Sequence, residues 1–542
     1  MRAPRLFPVV LLLAAAVAAR AEKPAWKVLY SNDATNLLSC QSPFRPEVLK
    51  TFTDAMIRAS VDEAAVPGMG AEILQPGTGW VPWWNSKVYP LAEHLAWFKE
   101  KYPGAPASYP ILDFVLQGND FVGAFVDECH KKDVAAIVSF RVNDIHFQDM
   151  ADAPKPGYGA VYAVSKFYAD HLDWRLPAPK RHATQKGRGL DWSRQEVRDY
   201  KLALIREIAE QYDLDGLELD FMRFPNYFLP EVPEAQRTAI MREFIGKARA
   251  LLNETERGGK HRWLLARVPG ERADWPDVGF DPAVFAQAGI EAFTLANFYT
   301  TTQQTEVAAV RAAAPGAAVY LEMNHTSQTW KIADRTEGFD YRRSTKEALE
   351  STARLAYKRG ADGVALFNIA YYRQYGPLLE RRGPFDEPPF AQFAALADPV
   401  ALEKSLPYFF RAFGSPMEIG RPRDVKMDMA PPAGRPGVLR LQVLAPEEAQ
   451  QGEEPVTGTA EIDRGQWKVT FNGQVLEPLD TAFPAYPFPT TYKAGFGHPE
   501  QYLAWKVPAD AAKDGPNTLT IEEVQGPGPR LLRWIEVWFP QE

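Results

Sequence analysis

Residues 211–228 read QYDLDGLELDFMRFPNYF, and Glu218 and Asp220 lie inside the apolar run of that stretch. A carboxylate buried without a partner costs several kcal/mol, so two of them in a strand-like run point to chemistry or to an ion network. In an extended segment alternate residues share a face. Gly216, Glu218 and Asp220 therefore form one face, and Leu217, Leu219 and Phe221 the other. A second apolar run, AVYLEMNH at 318–325, carries Glu322 in the same way, with Asn324 and His325 beyond it. Two carboxyl groups flanking one bond are what glycosidic cleavage needs. One protonates the leaving oxygen, and the other attacks or activates water. Asp220 and Glu322 are the expected catalytic pair, with Glu218 and Asp144 in reserve; a structural acid network is the alternative.

The elements that would position these acids recur along the chain. Eight short apolar runs, at 27–33, 71–77, 134–144, 214–224, 262–270, 291–299, 318–325 and 363–371, alternate with helical stretches. Such continuous runs suit parallel strands covered on both sides. The stretch 196–212 is a helix by its apolar spacing, with Ser193 and Glu196 placed as a capping box. Residues 344–360 form another, with Gly360 as its C-cap. Eight alternating units predict a (β/α)8 TIM barrel, whose active face lies at the strands' C-terminal ends. An open doubly wound sheet is the competing α/β arrangement, weakened because no GxGxxG follows the first strand.

Further polar residues fall at those strand ends: Asn32, Asp33, Gln75, Arg141, Asn143, Asp144, Arg223, Arg267, Asn297, Tyr299, Asn324, His325 and Asn368. Planar donors and acceptors of this kind suit a hydroxyl-rich ligand. Arg141, Arg223 and Arg267 either bind an anionic sugar substituent or pair with Asp144, Asp220 and Glu218 to offset burial. Trp80, Trp83 and Trp84 lie in the long segment 76–133, and a second long segment spans 145–195. Their rings either stack on sugars or form a satellite core that holds the loop.

The 542 residues imply two or three domains. A net charge of −8 without a basic stripe argues against nucleic acid as a partner. Residues 1–21 combine Arg2 and Arg5, a short apolar run and Ala-Arg-Ala, which is the pattern of a cleaved signal peptide and predicts a secreted or periplasmic protein. No second apolar run is long enough for a membrane span. Cys40 and Cys129 are either one disulfide or two buried thiols. No Cys/His spacing suggests a metal, so no metal or cofactor is expected. The expected boundaries are 22–390 for the barrel, 391–430 for a connection and 431–542 for a β-sandwich, whose strands fall at 437–444, 465–473, 502–508, 517–524 and 533–539.

At residues 215–225 the chain resembles bacterial glycosyl hydrolase-like barrels, whose fourth strand reads D-G-hydrophobic-x-hydrophobic-D-x-x-R-[FY]-P. Here these are Asp215, Gly216, Asp220, Arg223, Phe224 and Pro225. The stretch LDWSRQEVRDY at 190–200 resembles that family's lead-in helix. The resemblance implies a TIM-barrel glycosidase acting on an extracellular poly- or oligosaccharide, anionic ones included. Glu322 is similar in position to the nucleophile of the retaining β-glycosidase clan. That clan shows Asn-Glu at strand four, where this chain has Glu-Leu-Asp; in other barrel glycosidases the strand-four Asp is the nucleophile. The tail resembles the galactose-binding-like sandwiches appended to glycosidases. The competing functions are a non-catalytic carbohydrate-binding protein on a degenerate barrel and a uronate lyase using Tyr299 or His325 near Arg267.

Overall fold

The computed structural model describes residues 23–47, 51–157, 159–178, 187–222, 224–328, 342–373, 384–444, 466–479, 487–488, 501–526 and 530–540. The stretch 1–21, read above as a signal peptide, and Arg223 lie outside them. Each of the eight apolar runs contains a strand: β1 (Val28–Asp33), β2 (Met69–Gln75), β3 (Ala135–Arg141), β4 (Gly216–Asp220), β5 (Trp263–Pro269), β6 (Ala292–Ala296), β7 (Ala318–Asn324) and β8 (Gly363–Phe367). They close into a parallel barrel in the order β1-β8-β7-β6-β5-β4-β3-β2. The expected (β/α)8 architecture is the observed one.

Alternation along the strands divides the barrel. Leu217, Leu219 and Phe221 join the core beneath the helices. Inside, Leu29, Ala71, Ile73, Ile137, Leu265, Ala292, Ala318, Tyr320 and Ala365 form an apolar plug. Above the plug the inward positions turn polar: Ser139, Glu218, Arg267 and Glu322. Asp215 closes the lower end of β4 by accepting from the Ala136 amide (2.8 Å) and His130 Nε2 (2.9 Å). A Cβ on Gly216 would stand 2.5 Å from the Trp263 carbonyl, so glycine is required where β4 approaches β5.

Helix α1 (Asp54–Ala64) and helix α2 (Phe121–Lys131) pack on one another outside β2 and β3. Helix α3 (Gln195–Gln211) follows the expected span, but the capping box does not form. The Asp191 carboxylate takes the Ser193 amide (2.9 Å) and hydroxyl (2.7 Å), and the helix starts after Arg194 without a side-chain cap. Helix α4 (Glu234–Glu254) packs against α3. Helix α5 (Lys346–Lys358) is capped by Thr345, and Gly360 follows it at φ +93°.

Two antiparallel sheets follow the barrel. One has the order β9 (Tyr408–Ile419), β17 (Arg530–Trp538), β11 (Gly437–Leu444), β15 (Tyr502–Val507), β14 (Glu477–Pro478). The other has β10 (Arg423–Met429), β16 (Gly515–Gln525), β12 (Gln466–Phe471), β13 (Gln474–Val475). Strands β9 and β10 correct the reading of 391–430 as a connection. Val425, Met427 and Met429 are buried while Lys426 and Asp428 alternate with them, a period of two that the surrounding charge obscured. Leu355 of α5 joins the sandwich core, and Arg359 takes Asp428 in two hydrogen bonds of 2.7 Å.

The long segments after β2 and β3 fold onto each other. Trp80 Nε1 donates to the Asp144 carbonyl (3.0 Å), Trp83 Nε1 to the Tyr162 carbonyl (3.1 Å) and Trp84 Nε1 to Glu207 (2.9 Å). Glu207 of α3 also accepts from Ser86 Oγ and from the amides of Lys87 and Val88. One carboxylate thus pins four donors of the loop. Glu207→Ala strands those donors and is expected to lower stability by about 3–5 kcal/mol. Thermal and urea unfolding check this, and an unchanged midpoint contradicts it.

Candidate active site

The polar layer above the plug centres on one side chain. Arg267 of β5 donates from Nη1 to Asp220 Oδ1 (2.9 Å), from Nε to Glu322 Oε2 (2.5 Å) and from Nη2 to Glu322 Oε1 (2.7 Å). Its guanidinium also lies 4.5 Å from the centroid of the Phe367 ring. Burial alone would lower the Arg267 pKa, but Asp220 and Glu322 raise it above the ordinary arginine value. Paired acids that cleave glycosidic bonds stand about 5–9.5 Å apart, and here the two acids meet on one guanidinium.

Asp220 ends β4. Its remaining contacts are the Met222 amide (2.9 Å) and Gln75 Nε2 (3.1 Å). Arg141 Nε stands 3.8 Å from it. Glu322 also accepts from Asn324 Nδ2 (3.1 Å). Glu218, two residues below Asp220, accepts from Ser139 Oγ (2.8 Å). Burial and the nearby Asp220 push Glu218 up to about 8, so it holds a proton at neutral pH. Buried acceptors at Glu218 Oε2, Gln75 Oε1 and Asn324 Oδ1 have no hydrogen-bond partner among the described residues. Polar atoms left open beside three acids are what a hydroxyl-bearing ligand or water would satisfy.

A second ion network adjoins the first. Arg141 Nη2 donates to Asp33 (2.5 Å), and Nη1 stands 3.5 Å from Asp144. Asp144 accepts from the Gly79 amide (2.9 Å) and carries His146 Nδ1 on Oδ1. Burial would raise the Asp144 pKa, but His146 and Arg141 hold it well below the usual carboxylate range. The arginines therefore do pair with acids of the barrel, Arg267 with Asp220 and Arg141 with Asp144. A small cavity lies beside both networks, lined by Gln75, Trp80, Ser139, Arg141 and Lys201, among others. It sits where pairing of β2 with β3 stops at Leu74 and Val138. Lys201 lies 4.0 Å from the Trp80 ring centroid, and burial lowers its pKa to about 8.

Several residues expected to bind ligand are used otherwise. Asn32 is one step out of phase with Asp33, so it bonds Glu72 Oε1 (2.8 Å) rather than the barrel interior. Asn143 is spent on the carbonyls of Leu190 and Asn226 (3.0 Å each) and on the Leu190 amide. All three tryptophans are buried; Trp80 and Trp84 stand in the wall of the cavity and Trp83 does not reach it. Asn368 accepts from Asn36 (3.2 Å), at φ +56°. His325 is buried against Tyr299 and Tyr371, and Asn297 stays half-exposed at the rim. Cys40 and Cys129 are separate buried thiols. Among the described residues no group of His, Cys, Asp or Glu is placed to hold a metal ion, and no helix is long and apolar enough to cross a membrane. Sequence reasoning did not assign Phe224, Phe298 and Tyr371 to the site; they come from three strand ends far apart in the chain.

The chain matches no protein-family model. Among curated proteins it is 25% identical over 165 residues to the 1,4-alpha-glucan branching enzyme of Trichormus variabilis, covering 29% of this chain and 19% of that one. It is 30% identical over 111 residues to the branching enzyme of Prochlorococcus marinus, covering 20% and 13%. The chain thus spans less than a fifth of the length of these relatives. Similar solved structures include the PgaB glycoside hydrolase domain of Bordetella bronchiseptica, with a TM-score of 0.40 and 8% identity over 64% of this chain and 95% of that one. Another is the endo-beta-1,4-mannanase of Thermotoga petrophila, with a TM-score of 0.39 and 10% identity over 95% and 98%. The site described above is read from this chain's own residues.

Two expectations follow from the electrostatics. Arg267→Met leaves Glu322 buried without its counter-charge and Asp220 with only Arg141 at 3.8 Å, and should cost about 3–5 kcal/mol; urea unfolding as late as wild type would contradict the ion-pair account. Glu218 and Glu72 both rise from 4.5 to about 8 on folding. The folded chain keeps protons that the unfolded chain releases, so this stabilisation is complete below about pH 4.5 and is lost as pH rises through about 8. Glu218→Gln is expected to flatten that fall in a series of unfolding curves between these values.

Proposed function

We propose that the chain is a secreted glycoside hydrolase acting on a poly- or oligosaccharide, anionic ones included, with Asp220 and Glu322 flanking the scissile bond. The observation that carries this reading is the meeting of acids from β4 and β7 on Arg267 of β5, at the end of the barrel where such folds place their chemistry. Glu218 supplies a proton-bearing acid beneath Asp220, and the cavity wall of Gln75, Ser139 and Arg141 supplies polar contacts to the same acids. In the reaction one acid protonates the leaving oxygen as the C1–O bond breaks. The opposing carboxylate attacks C1 or takes a proton from the attacking water. Arg267 must yield part of its hold on one acid when substrate enters. The signal-like N-terminus supports secretion, and the partial likeness to branching enzymes makes α-1,4-glucans the first substrates to try.

One observation favours a second reading, glycan binding without turnover. Asp220 and Glu322 are almost wholly shielded from solvent and both engaged by Arg267. Incubation with neutral and anionic polysaccharides, followed by product sizing, separates the two. Hydrolysis is expected with wild type and should fall roughly 10²–10⁴-fold in Asp220→Asn and Glu322→Gln with folding retained. Full activity in both variants would remove the assigned pair, and glycan affinity without any product would favour the second reading.

A further inference from the structure

The rings at the barrel rim form a continuous row. His146 lies 5.0 Å from Phe224, Phe224 lies 6.3 Å from Phe298, Phe298 lies 5.2 Å from Tyr299, and Tyr299 stacks at 6.4 Å on Tyr371. These residues follow β3, β4, β6 and β8, so the row crosses the ends of strands far apart in sequence. Most of the chain's rings are buried. Phe298 is 42% exposed, the one aromatic among the large apolar side chains that stand exposed in the described residues. Phe224 and Tyr299 are half-exposed. Asn297, beside Phe298, is half-exposed and has no side-chain hydrogen bond among the described residues.

Both ends of the row are tied to the acid centre. At one end His146 rests on Asp144, which Arg141 joins to Asp33. At the other, Tyr371 packs at 4.9 Å on His325, three residues beyond Glu322. Tyr299 sits at φ +59°, a conformation that non-glycine residues rarely adopt. The bend is held from the end of β7 and the residues just after it: Thr326 Oγ1 donates to the Tyr299 carbonyl, the Thr301 amide donates to the Thr326 carbonyl (2.7 Å), and Thr301 Oγ1 donates to the Asn324 carbonyl (2.8 Å). The segment that leaves the Glu322 strand thus also holds the turn at Tyr299, next to Phe298.

We propose that Phe224, Phe298 and Tyr299 form a glycan-binding platform that leads a saccharide chain to the acid centre. Flat rings with a polar amide at their edge suit pyranose units, which present apolar C–H patches on a ring face and hydroxyl donors and acceptors around the edge. Its placement as a substrate track rests on the glycosidase reading; the binding itself does not. Exposed Phe298 can be replaced without disturbing the core, and the rest of the row is left in place by that change.

The test is affinity electrophoresis of the full chain in gels containing soluble starch, galactomannan, chitosan or carboxymethyl cellulose. Wild type and Glu322→Gln are expected to be retarded in at least one gel. Phe298→Ser, and Phe224→Ala with Phe298→Ala, should lose at least tenfold in affinity there at an unchanged melting temperature, and Phe298→Trp should restore it. Wild type unretarded in every gel, or Phe298→Ser held as tightly as wild type, would overturn the platform. Retardation of wild type without product leaves the platform standing and sinks the hydrolase reading. Product formation with affinity unmoved by both ring variants does the reverse.

Discussion

A single guanidinium holds the upper barrel together. Three strands bring Asp220, Arg267 and Glu322 together where all three are almost wholly shielded from bulk solvent and each charge alone would be strongly unfavourable. Arginine suits the position and lysine would not. Its planar fork offers one edge to Glu322 and a further nitrogen to Asp220, and it stays charged at any pH the protein meets. The side chain must lie flat for this, and Phe367 of β8 supplies the surface on which it rests.

Beneath that layer the barrel is an ordinary packed core. The change from apolar to polar happens within single strands. Ile137 gives way to Ser139 and Arg141, Leu265 to Arg267, and Tyr320 to Glu322. The apolar plug gives the strands the burial that stabilises closure, while the polar half gains little from desolvation. Division of labour along each strand lets an otherwise costly cluster of charge sit at one end of a stable scaffold. Arg141 repeats the device on β3, so two arginines two strands apart in the barrel bracket Asp220.

The architecture was legible because continuous apolar runs and helical periods alternate cleanly, and all eight runs became strands of one barrel. Glu218, Asp220 and Glu322 were legible by the same logic, as charges at inward positions of otherwise apolar strands. Asn32 was not, because Asn32 and Asp33 are adjacent and only the strand phase tells which points inward. The tryptophans of 80–84 drew attention by density, yet a dense aromatic cluster is also how a long loop builds its own core, and each indole N–H found a partner there. Of the rim row only Tyr299 stood out as a strand-end candidate; that it joins Phe224 and Tyr371 was not legible, since these rings come from strand ends separated by dozens of residues. The alternation in β10 was readable but lay among prolines and charges that suggested a linker.

The ladders end at different heights around the barrel wall. Asp220 and Arg267 face each other in register and Asn324 faces Phe367, whereas the β6–β7 ladder ends at Leu295 and Leu321 and that of β2 and β3 at Leu74 and Val138. Between β2 and β3 they stop short, and side chains rather than backbone close the gap. Gln75 lines the cavity at that gap and donates to Asp220, so the seam between these two staves is joined to the acid centre by a single side chain.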